Sequence, residues 1–332
     1  METVHTRSAS CEEEWSDYWE LFRKISDNKK RALESFRPKL LKLISLDETK
    51  LLDFARTMRF PNYENPTVSI VIPAYNNVRL TLECLSSILK YTNDIPYEVI
   101  IVDDGSHDET WQILSQIKNI TLVRNPERSG FLISCNAGAE RARGEFLLFL
   151  NNDVQVTRDW LRPLVETFFR FDDVGAVGPK ILFPNGRLQE AGARVRADGS
   201  AQLIGVFDNP DLPRYNYIRE VDYCSGVCLL IRTEQFRELG GFDPLFAPGY
   251  CEDIDLCFRI RSQGKRILYN PESVIVHHLS ATSNNIASDY KIQCVIRNQQ
   301  KLCEKWQQEI DKLNHVRLIA FYLPQYLSLI HI

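Results

Sequence analysis

The stretch that most constrains this chain is Phe146 to Val154, read as Phe-Leu-Leu-Phe-Leu-Asn-Asn-Asp-Val. An unbroken apolar run from Phe146 to Leu150 predicts a strand buried on both faces, as in parallel sheets covered by helices, and it stops at Asn151, Asn152 and Asp153. Those side chains then stand at a strand's carboxyl end, the edge at which open α/β sheets bind ligands. Asp153 is the carboxylate among them, and a carboxylate beside carboxamide oxygens suits a hard divalent cation that also holds a diphosphate. A polar strand-to-helix turn, with Thr157 capping a helix from Arg158 to about Arg170, accounts for the triplet equally well.

The chain before this stretch repeats the same unit. Val68 to Pro73 predicts a buried strand, Asn76-Asn77 turns the chain, and Leu82, Leu85, Ile88 and Leu89 mark a helix. Glu98 to Val102 is the next strand, delivering Asp103 and Asp104 to its end, with Ser106 and Glu109 placed to cap the returning helix. Ile120 to Val123 leads through Arg124 and Gly130 into a helix with small residues at Ala137, Gly138 and Ala139. The alternation predicts an α/β fold, a mainly parallel doubly wound sheet. Its polar strand ends, Ala74-Tyr75-Asn76, Asp103-Asp104 and Asn152-Asp153, should line one crevice. Neither a Gly-x-Gly-x-x-Gly turn nor a P-loop follows the first strand, where Pro73-Ala74-Tyr75-Asn76-Asn77 stands. A base and ribose must then be read by side chains such as Asp104, and phosphates reached through a metal.

Beyond Val174 the pattern loosens into short strands around Ala176 and Ile181 and a polar, acceptor-facing region from Asn185 to Asn216. Val227 to Ile231 predicts a strand, Thr233 a helix cap, and Gly240-Gly241 the stop of that helix. Gly249-Tyr250-Cys251-Glu252-Asp253-Ile254-Asp255 then opens a helix with three acids in its first turn. Complementing the helix dipole explains one or two of them. Gly249 and Tyr250 in front point to close approach by something bound. Ile267 to Tyr269 and Val274 to Val276 predict strands, the second delivering His277 and His278. Cys251 and Cys257 match no common zinc spacing and read as packing residues.

Composition narrows the function classes. The 332 residues are 44% hydrophobic with a net charge of −4 and no dense basic block, which predicts a globular chain with no nucleic-acid partner. Nine cysteines, without a Cys-x-x-Cys pair and without an apolar leader before them, predict reduced thiols in a cytoplasm. No apolar run has the length of a membrane span, and Leu318 to Ile332 is broken by Pro324. Peripheral membrane association is compatible with this sequence, although nothing in the sequence supports it. Residues 1–62 predict a helical extension, with capping boxes at Ser10 to Glu13 and Ser45 to Glu48, the first followed by Trp15, Tyr18, Trp19, Phe22 and Ile25. Residues 284–315 predict one long closing helix.

In this order, over a domain of residues 66–283, the motifs resemble family 2 glycosyltransferases, inverting enzymes of the GT-A nucleotide-diphospho-sugar transferase fold. The resemblance implies that Pro73, Ala74, Tyr75, Asp103, Asp104 and Asn152 bind a nucleotide-diphospho-sugar donor, with UDP the default nucleotide and dTDP-linked deoxysugars the alternative. It implies that Asp153 and His277 hold a divalent cation, Mn2+ or Mg2+. Asp253, second acid of the Glu252-Asp253 pair, is implied as catalytic base. Asn151 stands where the family's Asp-x-Asp motif has its leading acid, which leaves Asp153 as the carboxylate ligand. Single displacement at an anomeric carbon needs these parts, a base for the acceptor hydroxyl proton and a Lewis acid for the departing diphosphate.

The implied acceptor is a glycan or lipid-linked glycan, in bacterial surface polysaccharide biosynthesis. A sugar nucleotidyltransferase would open on a glycine- and arginine-rich phosphate loop, which Pro73 to Asn77 lacks. An inactive sugar-binding module would not need Glu252-Asp253 or His277, although Asn151 leans that way. Arg317 to Tyr326 resembles the first strand of a glycosidase-like domain fused to bacterial polysaccharide glycosyltransferases. Leu327 to Ile332 resembles translated adapter sequence, so residues 317–332 read as the truncated start of a further domain.

Overall fold

The apolar runs identified above become the middle of one mixed sheet. The computed structural model describes residues 41–278 and 288–329. The helix expected after Ser10 lies outside these residues. In chain order the first half comprises α1 (Leu51–Thr57), β1 (Val68–Ala74), α2 (Val78–Tyr91), β2 (Tyr97–Asp103), α3 (Thr110–Leu114), β3 (Thr121–Arg124), α4 (Phe131–Ala139) and β4 (Phe146–Leu150). The second half comprises β5 (Val154–Val156), α5 (Leu161–Arg170), β6 (Val174–Leu182), β7 (Leu188–Glu190), β8 (Ala193–Val195), β9 (Ala201–Leu203), β10 (Arg219–Val221), β11 (Cys228–Arg232), α6 (Thr233–Glu238), α7 (Glu252–Ser262), β12 (Arg266–His277) and α8 (Ser288–Leu329).

Across the sheet the strands run β10-β12-β6-β11-β4-β1-β2-β3, with β5 added to β12 and β7 to β6. β4, β1, β2 and β3 are parallel neighbours, as the alternating sequence requires. β11 enters antiparallel between β4 and β6, while β12 runs parallel to β6. The sheet is therefore parallel in its first half and mixed in its second. Because β4, β1 and β2 are adjacent and parallel, their carboxyl ends form one edge.

Strand periodicity divides the core into two layers. Ile70, Ile72, Ile101 and Leu148 pack with Leu82, Leu85 and Ile88 of α2 on one face. Val71, Ile100, Leu147 and Phe149 pack with Leu132 and Cys135 of α4 on the other. Gly138 is required on that second face, since a Cβ there would run into Val71 Cγ1.

Several local expectations give way to longer-range partners. Asp47, not Ser45, accepts from Thr49 N at the start of the first helical turn. Ser106 does not cap α3; its hydroxyl accepts from Asn76 N, and Asp108 accepts from Thr110 N instead. Thr157 and Thr233 likewise donate to distant carbonyls, of Val274 and Gly144, rather than capping the helices that follow. The expected helix from Arg158 begins only at Leu161. The two short strands near Ala176 and Ile181 are the single strand β6, and those of Ile267 and Val274 are the single strand β12, whose register shifts between Asn270 and Val274. Arg317 to Tyr326, expected as a strand, continues α8. A lone strand needs a partner edge, whereas a helix satisfies its backbone internally.

Residues 44–60 are built into the same core. Ile44 N donates to Gln155 Oε1 (2.7 Å) and Gln155 Nε2 donates back to Ile44 O (2.8 Å). Met58 and Phe60 are buried and bracket Lys118 through backbone hydrogen bonds. The described cysteines are all free. Among the described residues no helix is long and apolar enough to cross a membrane.

Candidate active site

Along the parallel edge, the loops after β1 and β2 are stitched together. Asp104 N donates to Ala74 O (2.8 Å), Asn76 N to Ser106 Oγ (2.8 Å) and His107 N to Asn76 Oδ1 (2.9 Å). Asn76 and Asn77 both have positive φ, which lets the chain reverse within two residues. Pro73 and Ala74 are buried as the floor of this edge, and Tyr75 lies half-buried with the Arg128 guanidinium 4.2 Å above its ring. Asp103 is fully buried, with Oδ1 accepting from Ser106 N (3.1 Å) and Oδ2 facing Arg124 Nε (3.3 Å). The Asp104 carboxylate, also buried, accepts from Asn125 Nδ2 (2.8 Å), Ser129 N (2.8 Å) and Gly130 N (2.9 Å). It holds the loop before α4 in place. Gly130, at φ 93°, then meets Pro248, so this loop touches the segment leading to α7.

At the end of β4 the three polar side chains part company. Asn152 turns back into the protein and donates to Thr81 Oγ1 on α2 (2.9 Å). Asp153 turns toward β12, where its Oδ1 lies 3.1 Å from His277 Nε2, both residues being buried. Pairing of Val154 with His277 across β5 and β12 brings them together. Burial alone would raise the Asp153 carboxyl, but the electrostatic attraction and hydrogen bond of His277, with His278 behind it, hold it below the ordinary carboxylate range. His278 is tied elsewhere, its backbone N–H to Asp153 O (3.0 Å).

Asn151 bears on whether these residues suit a cation. Its Nδ2 lies 3.4 Å from His277 Nε2, and its Oδ1 is buried without a partner. Turning this amide over would set an oxygen beside Asp153 and His277. Among the described residues no group of three His, Cys, Asp or Glu side chains converges. With the amide so turned, one carboxylate, one imidazole and one carboxamide oxygen would form a mixed oxygen and nitrogen set that fits Mn2+ or Mg2+.

Asp253 is connected to this site by two neighbouring residues. Asn151 N donates to Val227 O (3.0 Å), and Gly226 N donates to Asp253 Oδ2 (3.0 Å). Asp253 is half-buried in the first turn of α7, and burial raises its carboxyl despite the hydrogen bonds from Gly226 and Ile254. Glu252 beside it is buried with Oε2 unpartnered, and burial together with the charge of Asp253 pushes it up to about 8. Tyr250 and Cys251 enter α7 with φ of 76° and 71°, a conformation costly for non-glycine residues. Asn298 of α8 maintains it: fully buried, its Nδ2 donates to Phe246 O (2.7 Å), Gly249 O (2.9 Å) and Tyr250 O (3.1 Å). Asp255 faces away from the site, accepting from Arg259 Nε (2.8 Å) and Trp306 Nε1 (2.8 Å) with Lys305 Nζ at 2.7 Å.

Two residues here escaped the sequence reading. Glu190 on β7 is buried, accepts from Ser225 N (3.2 Å), and is pushed up to about 8 by burial, with Asp253 adding to it. Its neighbour Gln189 donates from Nε2 to His277 Nδ1 (2.9 Å). Both lie in a stretch whose only sequence signal is polarity, and pairing of β7 with β6 is what carries them to the site.

Comparison with known proteins gives a consistent picture. The model of the glycosyl transferase family 2 matches residues 69–240, just over half of the chain. The O-antigen biosynthesis protein RfbC of Myxococcus xanthus is 34% identical over 236 residues, covering 68% of this chain and 18% of that protein. The crystal structure of GalNAc-T7 with UDP, GalNAc and Mn2+ superposes with a TM-score of 0.53 at 19% identity, over 76% of this chain and 53% of the other. The mannosyltransferase PcManGT from Pyrobaculum calidifontis, in complex with GDP-Man and Mn2+, gives 0.50 at 21% identity, over 79% and 70%. At such identities the structural likeness speaks for the fold alone. The chain spans between 18% and 42% of the length of the first curated relatives it matches. Asp253 and His277 both lie beyond the matched 69–240 segment.

Proposed function

The chain belongs to glycosyl transferase family 2, and we propose that it moves a sugar, with inversion, from a nucleotide-diphospho-sugar to a hydroxyl of a glycan or lipid-linked glycan acceptor, in bacterial surface polysaccharide biosynthesis. The observation that carries this reading is the link from Asn151 through Val227 and Gly226 to Asp253, which fixes the Asp153 and His277 pair relative to the raised carboxyl of Asp253. Asp253 is the general base. Burial raises its affinity for a proton, which favours accepting one from a sugar hydroxyl. Gly226 N and Ile254 N hold the carboxylate in place while the proton is transferred.

Asp153 and His277, with Asn151 Oδ1 as the third donor, hold a divalent cation, which when bound neutralises charge on the departing diphosphate. Pro73, Ala74, Tyr75 and Asp103 shape the nucleotide end of the cleft, Asp104 through the loop it anchors and Asn152 through α2. Residues 66–283 form the catalytic domain, the extension before it contributing the packed segment 44–60 and α8 closing it. The test is nucleoside diphosphate release across a donor panel, with and without acceptor and chelator. Release requiring both acceptor and divalent cation is expected, and full turnover in excess chelator would sink the mechanism.

A further inference from the structure

Around His277 the two shorter contacts, to Gln189 and Asp153, favour the Nε2–H tautomer against the longer 3.4 Å approach of Asn151 Nδ2 to Nε2, and they strand an oxygen. Gln189 Nε2 is a donor, so the His277 Nδ1 it approaches at 2.9 Å must present a lone pair. The proton of the neutral ring then sits on Nε2 and is donated to Asp153 Oδ1 at 3.1 Å. In that arrangement Gln189 Oε1 is buried without any partner, in a side chain only 3% exposed. An orphaned buried amide oxygen is costly and uncommon. Turning the Gln189 amide over removes the stranded acceptor and sets the NH2 in its place: Oε1 accepts from Nδ1–H, and Nε2 of His277 is left with its lone pair directed at the Asp153 carboxylate. The same ring atom that closes the pair by donating to Asp153 becomes free to serve as a ligand.

We propose that Gln189 is the positioning residue for His277, a reversible amide that supports the Nε2–H tautomer in the cation-free protein and the Nδ1–H tautomer when His277 acts as a ligand. This rests on the reading of Asp153 and His277 as cation ligands. The rigidity of the arrangement comes from β7, which pairs with β6 at Leu182 to Leu188 and at Ile181 to Glu190. Gln189, between these paired residues, stays at ring distance while its terminal amide rotates. Outer partners of ligating histidines commonly set ring orientation and protonation in this way.

The test uses the full chain labelled with 15N-histidine, wild type, Gln189→Leu and Gln189→Glu, with the His277 ring assigned by its loss in His277→Asn. Without metal, long-range proton–nitrogen correlations should find wild-type His277 protonated on Nε2, and Mg2+ should move the proton to Nδ1. Gln189→Glu, an acceptor toward the ring, should have Nδ1 protonated before any metal is added. Mn2+ titrated alone and followed by electron paramagnetic resonance should bind Gln189→Glu within a few-fold of wild type and Gln189→Leu about 10- to 100-fold more weakly. A role limited to packing predicts the reverse ranking, because a buried carboxylate disturbs packing more than leucine does. The same tautomer in all three proteins, or wild-type Mn2+ affinity in Gln189→Leu, would overturn the proposal. Failure of wild-type protein to bind Mn2+ would instead strike the cation reading, and the metal-free tautomers would still decide the role of Gln189.

Discussion

The two halves of the sheet treat their polar strand ends in opposite ways. On the parallel half, Asn76, Asp104, Ser106 and Asn152 are engaged with one another's loops or with α2, so their hydrogen-bonding capacity goes into shape. Toward the mixed half, Asn151 Oδ1, Gln189 Oε1 and Glu252 Oε2 are buried without partners, whereas the strand-end oxygen that lacks a hydrogen bond on the parallel half, Asp103 Oδ2, faces the Arg124 guanidinium at 3.3 Å. There, too, burial holds Glu190, Glu252 and Asp253 above the ordinary carboxylate range. Buried polar groups in native proteins are nearly always satisfied, so a cluster of exceptions marks capacity reserved for a ligand or a proton. On the proposed reading, one half of the edge builds the cleft and the other keeps polar groups open for chemistry.

The sharpest way to break this contrast is Asp253→Asn. The amide keeps the shape and the contact with Gly226 but cannot take the acceptor proton, so turnover should fall on the order of 10²- to 10⁴-fold while donor binding stays near wild type. Nucleoside diphosphate release and donor titration measure the two separately. Near wild-type turnover would move the chemistry off the mixed half.

Next in size is Asp255, two residues on and doing the opposite job. It is fully buried, and its carboxylate joins α7 to α8 at Trp306, where φ of −127° and ψ of 18° break the long helix. Removing one member of a buried charge network typically costs about 3–5 kcal/mol. Asp255→Asn should therefore lose stability of that order in urea unfolding while the folded fraction retains its turnover. A variant as stable as wild type but inactive would exchange the roles of the two aspartates.

Which of these differences can be read in the sequence depends on how far away the partner lies. β1, β2 and β4 are legible because each is an apolar run that needs only burial, and α7 because its acids and apolar spacing are local. The mixed half depends on pairings such as Val154 with His277 and Ile181 with Glu190, far apart in the chain. Gln189 and Glu190 carry no local mark of what they face. Capping fails in the same way: Ser106, Thr157 and Thr233 have suitable side chains, but tertiary partners claim them. Asp104 was legible as a strand-end acid, whereas its engagement with Asn125, Ser129 and Gly130 follows from the loop that returns from β3.

Asp104→Asn sharpens the comparison from the parallel side. Hydrogen bonds to a charged acceptor contribute roughly 1.5–3 kcal/mol each, and because Ser129 N and Gly130 N donate to different oxygens of Asp104, the amide keeps an acceptor for only one of them. A stability loss of about 2 kcal/mol is expected, with weaker donor binding but unchanged turnover at saturating donor. Loss of turnover at saturation, with stability intact, would place Asp104 in the chemistry instead.

The effect confined to alkaline pH concerns Glu190, and its sign is fixed by the direction of its shift. Glu190 ionises near 4.5 as a free side chain, but burial, with Asp253 nearby, pushes it up to about 8 in the fold, against the opposing hydrogen bond from Ser225 N. The folded protein therefore holds a proton there that the unfolded chain releases. Its contribution to stability is fully present below about pH 4.5 and is lost as pH rises through about 8. Glu252, pushed up to about 8 by burial and by the charge of Asp253, slopes the same way. The amide of a Glu190→Gln variant has no proton to lose and keeps an oxygen for Ser225 N. Thermal unfolding midpoints should accordingly match wild type near pH 5 and exceed it by a few degrees near pH 9, with Glu252 supplying the slope that remains. Midpoint curves that run parallel from pH 5 to 9 would mean that Glu190 is ionised in the fold, and that the mixed half stores one fewer proton than its buried geometry implies.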